Sequence, residues 1–462
     1  MLRILGSRTR LCDRVTRREA LVAGLALPAV LGAASSGGPA SFGKARACVI
    51  LHLYGSPPQH ETFDPKPDAP SDVRGLLNPI ATSVPGLRIG EHLPRTAARM
   101  DKVALVRSMT HPYPIHGVAY ALSGVPKIDV PMELNPRDGR HWPYIGSVLD
   151  RLARGRKSVP THAALPWKFS SRAEPFRRAG PYGGFLGAGY DPVWAEFQGK
   201  ATAGDPHRGI DPECRFQVTP PGQPITLDRL DRRRSLLEQL AAARKALPDT
   251  GFDRQQAQAL ELMTSSRLAA ALDVRREPGK VRARYGHTLF GQSCLTARRM
   301  VEAGVKLVTV FWDEFKEANS AWDTHVRQWS RLKDDLCPGF DHAYSALLDD
   351  LAERGMLDST LVLVTTEHGR TPKLNKEPGG GREHWSGAYC NLLAGGGIKA
   401  GAVLGSTDRE AGFPREHPVS PKDVLATMYH LLGVPAGTHL ADREGRPQEL
   451  APGGQVLRRI IA

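Results

Sequence analysis

The chain has 462 residues, 41% of them hydrophobic and 24% charged, the balance of a globular protein most of which folds, with enough length to bury a large core. Its formal net charge is +14, yet the Lys and Arg are dispersed and no basic run is interleaved with aromatics. The charge therefore implies no nucleic acid; it reads as a solvated, arginine-rich surface whose field would draw an anionic substrate.

Residues 14–40, "RVTRREALVAGLALPAVLGAASSGGPA", have a basic start with Arg17-Arg18, an apolar stretch over 20–34 and small residues behind it. This layout predicts an export segment over residues 1–46, and the paired arginines after Thr16 predict the twin-arginine route, which carries folded proteins to the periplasm or beyond. The apolar run is too short and too rich in Ala and Gly to span a bilayer, and nothing after it reaches transmembrane length. The six cysteines (12, 48, 214, 294, 337 and 390) form no CxxC pair, so a thiolate metal site is not expected, while one or two disulfides are compatible with an oxidising compartment.

From residue 47 the pattern is α/β. Apolar runs predict strands over 47–55, 102–110, 305–312, 359–366 and 389–396. Apolar spacing at i, i+3 and i+4 predicts helices over 340–355, closed by Gly355, and over 420–434, opened by Ser-Pro and closed at Gly433. Strands alternating with helices imply a mostly parallel sheet covered on both faces. Residues 125–225, rich in Pro, Gly, Arg and Trp, predict long loops or a cap over one edge of the sheet. Residues 226–304 read as helical, so the single domain over 47–462 is expected to carry an insertion at about 125–304.

Polar residues gather just behind the strands. His60, Glu61 and Asp64 follow the first; Thr110, His111 and His116 follow the second. Asp313, then Asp323 and His325, come after 305–312. "LVLVTT" runs into Glu367-His368, and "GREHW" adds His384. Ligands bind at the carboxyl ends of strands in an open α/β sheet, and mixed carboxylates and imidazoles suit zinc, manganese or a similar divalent ion, whereas calcium takes oxygen alone. Each residue has a plain alternative: Asp323 as a helix cap, His325 as a surface histidine, Asp64 before Pro65 as a turn. The case for a metal rests on five segments reaching one edge.

The segments "ETFDPKPDAP", "RGLLNPIATSVPGLRIGEHLPR", "VRSMTH", "WDTH", "TTEHGRTP", "GREHW" and "LLAGGGIKAGAVLGSTD" together resemble the DUF1501 family, exported bacterial proteins similar to sulfatases within the alkaline phosphatase-like superfamily. The resemblance implies a three-layer α/β/α fold, one or two adjacent metal ions and attack on the phosphorus or sulfur of an ester. It matches Glu367-His368 to the strand-end metal pair, with Glu for the usual Asp, and Asp323, His325 and His384 to further ligands. Arg370 and Arg382 are placed to grip ester oxygens bidentately or, equally, to form ion pairs.

Two departures stand out. The first strand ends in Tyr54-Gly55-Ser56 where the superfamily has a metal-binding Asp, so Asp64, or His60 with Glu61, would take that role. "PIHGVAYALSG" replaces the segment that carries the nucleophile; Thr110 is the nearest hydroxyl in sequence, and His116 could be ligand, acid or nucleophile. Two functions follow. One is an extracytoplasmic, metal-dependent hydrolase of phosphate or sulfate esters, with a polysaccharide or other anionic polymer among its substrates. The other is a catalytically inactive binding protein of a surface or secreted assembly.

Overall fold

The computed structural model describes residues 41–153, 159–172, 177–218, 265–315 and 321–462. The chain divides into two units, Met1–Phe42 and Gly43–Ala462; of the first, only Ser41 and Phe42 are described. The Arg17-Arg18 pair and the apolar stretch behind it lie outside the described residues. Among those residues no helix is long and apolar enough to cross a membrane, and Cys48, Cys214, Cys294, Cys337 and Cys390 are unpaired thiols.

The second unit is built on a nine-stranded sheet. In chain order its strands are β1 (Ala47–Leu53), β2 (Val103–Met109), β3 (His162–Leu165), β4 (Val193–Gln198), β5 (Arg215–Val218), β6 (Leu307–Trp312), β7 (Thr360–Thr365), β8 (Tyr389–Ala394) and β9 (Val403–Leu404). Their spatial order is β9-β2-β8-β7-β1-β6-β3-β4-β5. β1, β6 and β7 are buried at every residue, which is why they read as unbroken apolar runs. β1 pairs parallel with β6 and with β7, Val49 lying between Val308 and Val362.

The four strands expected to run parallel do so. β8 runs antiparallel to both β7 and β2, which gives those two the same direction with a reversed strand between them. The cause is the connection from β7 to β8. It contains no helix to return the chain to the far side of the sheet, so the chain re-enters from the edge it had just left. That connection, residues 366–388, stays at the carboxyl edge and supplies much of the site.

Residues 125–225, expected as loops or a cap, instead contribute β3, β4 and β5, which extend the sheet beyond β6. These strands have four to six residues and are separated by Pro- and Gly-rich turns, too short for a periodic signal to emerge. The helical expectation over 226–304 is met from Ser266 onward; residues 226–264 lie outside the described residues.

Four helices matter for the layers: α1 (Ile145–Leu152), α2 (Leu289–Glu302), α3 (Cys337–Glu353) and α4 (Pro421–Leu431). α3 starts a turn earlier than the spacing predicts and gives way to Gly355 at φ 65°. α4 carries a full capping box between Ser420 and Asp423. The β6–α3–β7 and β2–α1–β3 crossovers step in opposite directions along the sheet, so right-handed connections place α3 and α1 on opposite faces. α2 packs against α3, pinned by buried Arg298, which reaches Glu277 at 2.7 Å and Asp350 at 2.8 Å.

Candidate metal centre

The carboxyl ends of β1, β2, β6 and β7 and the 366–388 connection meet at one edge. After β1 the chain turns at Gly55, whose φ is 90° and where a Cβ would lie 2.3 Å from the Asp323 backbone nitrogen. The freed Gly55 N–H donates to Glu367 Oε1 at 2.8 Å. After β7, Gly369-Arg370 pairs antiparallel with His384-Trp385, setting His384 opposite Arg370. Gly369 owes its identity to crowding: a Cβ there would sit 2.3 Å from the Ala388 carbonyl oxygen.

Five side chains converge. Asp323 Oδ1 lies 3.0 Å from His325 Nε2 and 3.2 Å from His384 Nε2, and the two imidazole nitrogens are 3.1 Å apart. His116 Nε2 is 3.4 Å from Asp323 Oδ2. Donor atoms of His116, His368 and His384 form a second group within 4.8 Å of one another, sharing His384 with the Asp323–His325–His384 group. Of the six residues expected as ligands, Asp323, His325, His368 and His384 lie together with His116, whereas Glu367 and Asp64 belong to neither donor group.

Glu367 stands behind this cluster. Its Oε1 is 3.0 Å from His116 Nδ1 and its Oε2 3.4 Å from His52 Nε2, and it belongs to neither donor group. Burial alone would raise its carboxyl, but His116 and His52 hold it well below the usual carboxylate range. His52 is a residue sequence reasoning missed. Its signal was a lone imidazole inside the apolar run of β1, fully buried.

Other expected residues fall elsewhere. Asp64 lies outside the cluster, its carboxylate taken by Lys66 at 3.1 Å, by Arg107 at 3.6 Å and by the Thr407 hydroxyl. Thr110 turns its hydroxyl to the Ser386 carbonyl at 3.4 Å. Ser56 is the hydroxyl that meets the Glu367-His368 turn, accepting from the His368 N–H at 3.3 Å. His60 reaches the Glu410 carbonyl at 2.7 Å, and His111 Nε2 donates to the Glu367 carbonyl at 2.7 Å. Asp313 accepts from Trp167 Nε1 at 2.9 Å and Ser170 N at 2.8 Å.

Both arginines prove to be buried structural groups. Arg370 pairs with Asp323 and gives its other N–H bonds to the carbonyls of Gly55, Ser56, Trp322 and Arg382, with Nη1 also 3.4 Å from His325 Nε2. Arg382 forks onto Glu61, with Nη2–Oε1 at 2.5 Å and Nε–Oε2 at 3.1 Å, and bonds the carbonyls of Val73, Thr371 and Pro372. Of the alternatives the sequence left open, the ion pair holds for both.

The donor set suits a divalent ion of the zinc or manganese type. His368 Nδ1 donates to the Gly369 carbonyl at 2.8 Å, which leaves Nε2 as the lone-pair nitrogen; that atom is buried and has no hydrogen-bond partner among the described residues. Burial keeps the His368 and His384 imidazoles neutral, both below the usual histidine range, and neutral imidazole is the ligating form. His325 Nδ1 is tied to Glu383 Oε2 at 2.5 Å, the carboxylate–histidine arrangement that orients a ligand nitrogen. Burial would raise Asp323, but Arg370 and the histidines around it keep it ionised. An unpartnered buried imidazole nitrogen beside a carboxylate and two further imidazoles is what such an ion requires.

Comparison with known proteins adds the following. The model of the DUF1501 family, described as "Protein of unknown function (DUF1501)", matches residues 45–461. No curated protein matches significantly. Among solved structures, Ps i-CgsB is similar at a TM-score of 0.39 and 12% identity, over 85% of this chain and 73% of that one. The PsFucS1 sulfatase from Pseudoalteromonas sp. gives 0.38 and 11%, over 90% and 72%. The phosphonate monoester hydrolase SpPMH from Silicibacter pomeroyi gives 0.35 and 11%, over 90% and 76%.

Proposed function

The chain belongs to the DUF1501 family, and from that premise we propose that it is a metal-dependent hydrolase of phosphate or sulfate esters acting outside the cytoplasm. The observation that carries this reading is the buried, unpartnered His368 Nε2 facing the same small space as His116 and His384. Asp323, His325, His384, His368 and His116 are the residues that would hold one or two divalent ions. The chemistry such an ion supplies is Lewis-acid polarisation of a phosphoryl or sulfuryl oxygen.

The chain's own groups have separable tasks. Arg370 neutralises Asp323 and keeps that carboxylate ionised while buried. Glu367 fixes the ring of His116 through Nδ1, so the proton of that imidazole is held at a defined atom. Burial would make His116 a weaker base, but Asp323 and Glu367 raise it to about 9, so in the metal-free site this imidazole is protonated at neutral pH and an incoming ion would have to displace that proton. The positive field of the chain favours an anionic substrate, such as an esterified polysaccharide. Arg17-Arg18 and the apolar residues behind them support export by the twin-arginine route.

One observation favours a second reading, a binding protein that keeps the metal and turns nothing over: Thr110 is bonded to Ser386 and away from the cluster. A panel of aryl phosphate, phosphonate and sulfate esters, assayed with zinc- and manganese-loaded protein, separates the two. Metal-dependent turnover of one ester class supports the hydrolase; stoichiometric metal with no turnover on any ester supports the binding protein.

A further inference from the structure

A tetrahedral ester head is gripped by donors that the protein has not already spent. The Arg370 and Arg382 N–H groups are directed at Asp323, Glu61, His325 and backbone carbonyls. Two buried donors have no hydrogen-bond partner among the described residues: the Tyr54 hydroxyl and Arg178 Nε. Tyr54 follows β1 directly, is fully buried, and stacks its ring on His116 with centroids 4.9 Å apart at 26°. Phe169 packs edge-on against the same ring at 5.5 Å. Its neighbour Ser170 accepts a hydrogen bond from the Arg178 backbone N–H at 3.1 Å, which ties the Arg178 backbone to the loop that packs on Tyr54.

The Arg178 side chain is 18% exposed, so it is reachable from solvent. Glu133 takes Nη1; among the described residues no other side chain takes its remaining N–H groups. Burial works against the charge of the guanidinium, but the Glu133, Glu314 and Asp323 carboxylates each favour it. Glu314 is half-buried, and its carboxylate has no hydrogen-bond partner among the described residues.

We propose that Arg178 and the Tyr54 hydroxyl together bind the anionic sulfate or phosphate head of the ester and so determine specificity at this site. Glu133 fixes the plane of the guanidinium fork, and Glu314 supplies the opposing charge that an incoming anion must outweigh. This assignment rests on the hydrolase reading for its substrate class, though not for its test.

The test is calorimetric titration of the full-length, metal-loaded protein with inorganic sulfate and inorganic phosphate, which needs no turnover. Arg178→Ala should weaken binding of the preferred anion roughly tenfold or more, as loss of a charge-assisted hydrogen bond requires, and Tyr54→Phe should weaken it about threefold. Glu314→Gln removes a carboxylate that has no hydrogen-bond partner among the described residues, so it should fold and should tighten the same binding. Arg178→Ala with wild-type affinity, or Glu314→Gln with weaker affinity, overturns the assignment. If the anion binds through Arg178 while no ester is turned over, the hydrolase reading fails and this one stands. If esters are turned over by an Arg178→Ala protein with unchanged KM, the reverse holds.

Discussion

Glu367 and His116 form the innermost acid–base pair of the site, Oε1 lying 3.0 Å from Nδ1, with the Gly55 N–H on the same oxygen at 2.8 Å. The strand end at Thr365 is followed by a carboxylate because a histidine on another segment needs one behind it. A group that orients a ligand in this way tunes affinity from outside the donor set.

Glu367→Gln should therefore keep the fold and lower metal affinity about 10- to 100-fold, read by competition with a chromogenic chelator. An unchanged metal dissociation constant would remove Glu367 from this role. Complete loss of bound metal would instead place it among the ligands, as the sequence alone suggests.

Arg370 is expected to be a stability residue. Arg370→Met leaves the Asp323 carboxylate buried beside three imidazoles without its guanidinium and should cost about 3–5 kcal/mol in denaturant unfolding, the usual result of breaking one side of a buried ion pair. Wild-type stability with a raised KM would return Arg370 to substrate binding.

Asp313 gives a pH signature. Burial, only partly offset by hydrogen bonds from Ser170, Trp167 and Glu314, holds its carboxyl up at about 7, whereas an unfolded aspartate titrates near 4. The folded state thus binds this proton more tightly. The contribution to stability is complete below about pH 4, declines as pH rises toward 7, and is gone above it. Relative to Asp313→Asn, the wild type should lose on the order of 1–3 kcal/mol of unfolding free energy between about pH 5 and pH 8. Parallel pH profiles for the two proteins would contradict the shift.

Location has its own test. Replacing Arg17 and Arg18 by Lys keeps the charge and removes the pair that the export receptor reads. The precursor should stay in the cytoplasm, as judged by fractionation; normal export of the double variant would exclude the twin-arginine route.

Much of this was legible in the sequence because burial leaves a plain mark. β1, β2, β6 and β7 are apolar at nearly every position since both faces are covered, and their ends could be read as one edge. Asp323, His325, His368 and His384 could be picked out because each breaks an apolar or glycine-rich context with a ligand type. What could not be read were pairings set by distant contacts. Asp64 looks like a ligand until Lys66, Arg107 and Thr407 are seen around it. Arg370 and Arg382 look like substrate clamps until their backbone acceptors are counted. His52 and Arg178 carry no motif, and β3 to β5 are too short to show a period. The antiparallel course of β8 depends on a connection that stays at one edge, which residue types alone do not specify.

The claim that the edge is a metal centre is tested most directly by elemental analysis of the purified wild type beside His368→Ala. Among the described residues His368 Nε2 has no hydrogen-bond partner, so its removal should leave β7 and the sheet folded, with wild-type circular dichroism. Bound zinc or manganese should fall from at least one ion per chain to well below stoichiometry, and any ester turnover should fall in step. A His368→Ala protein that keeps full metal occupancy, or a wild type that takes up no divalent ion, would contradict the account.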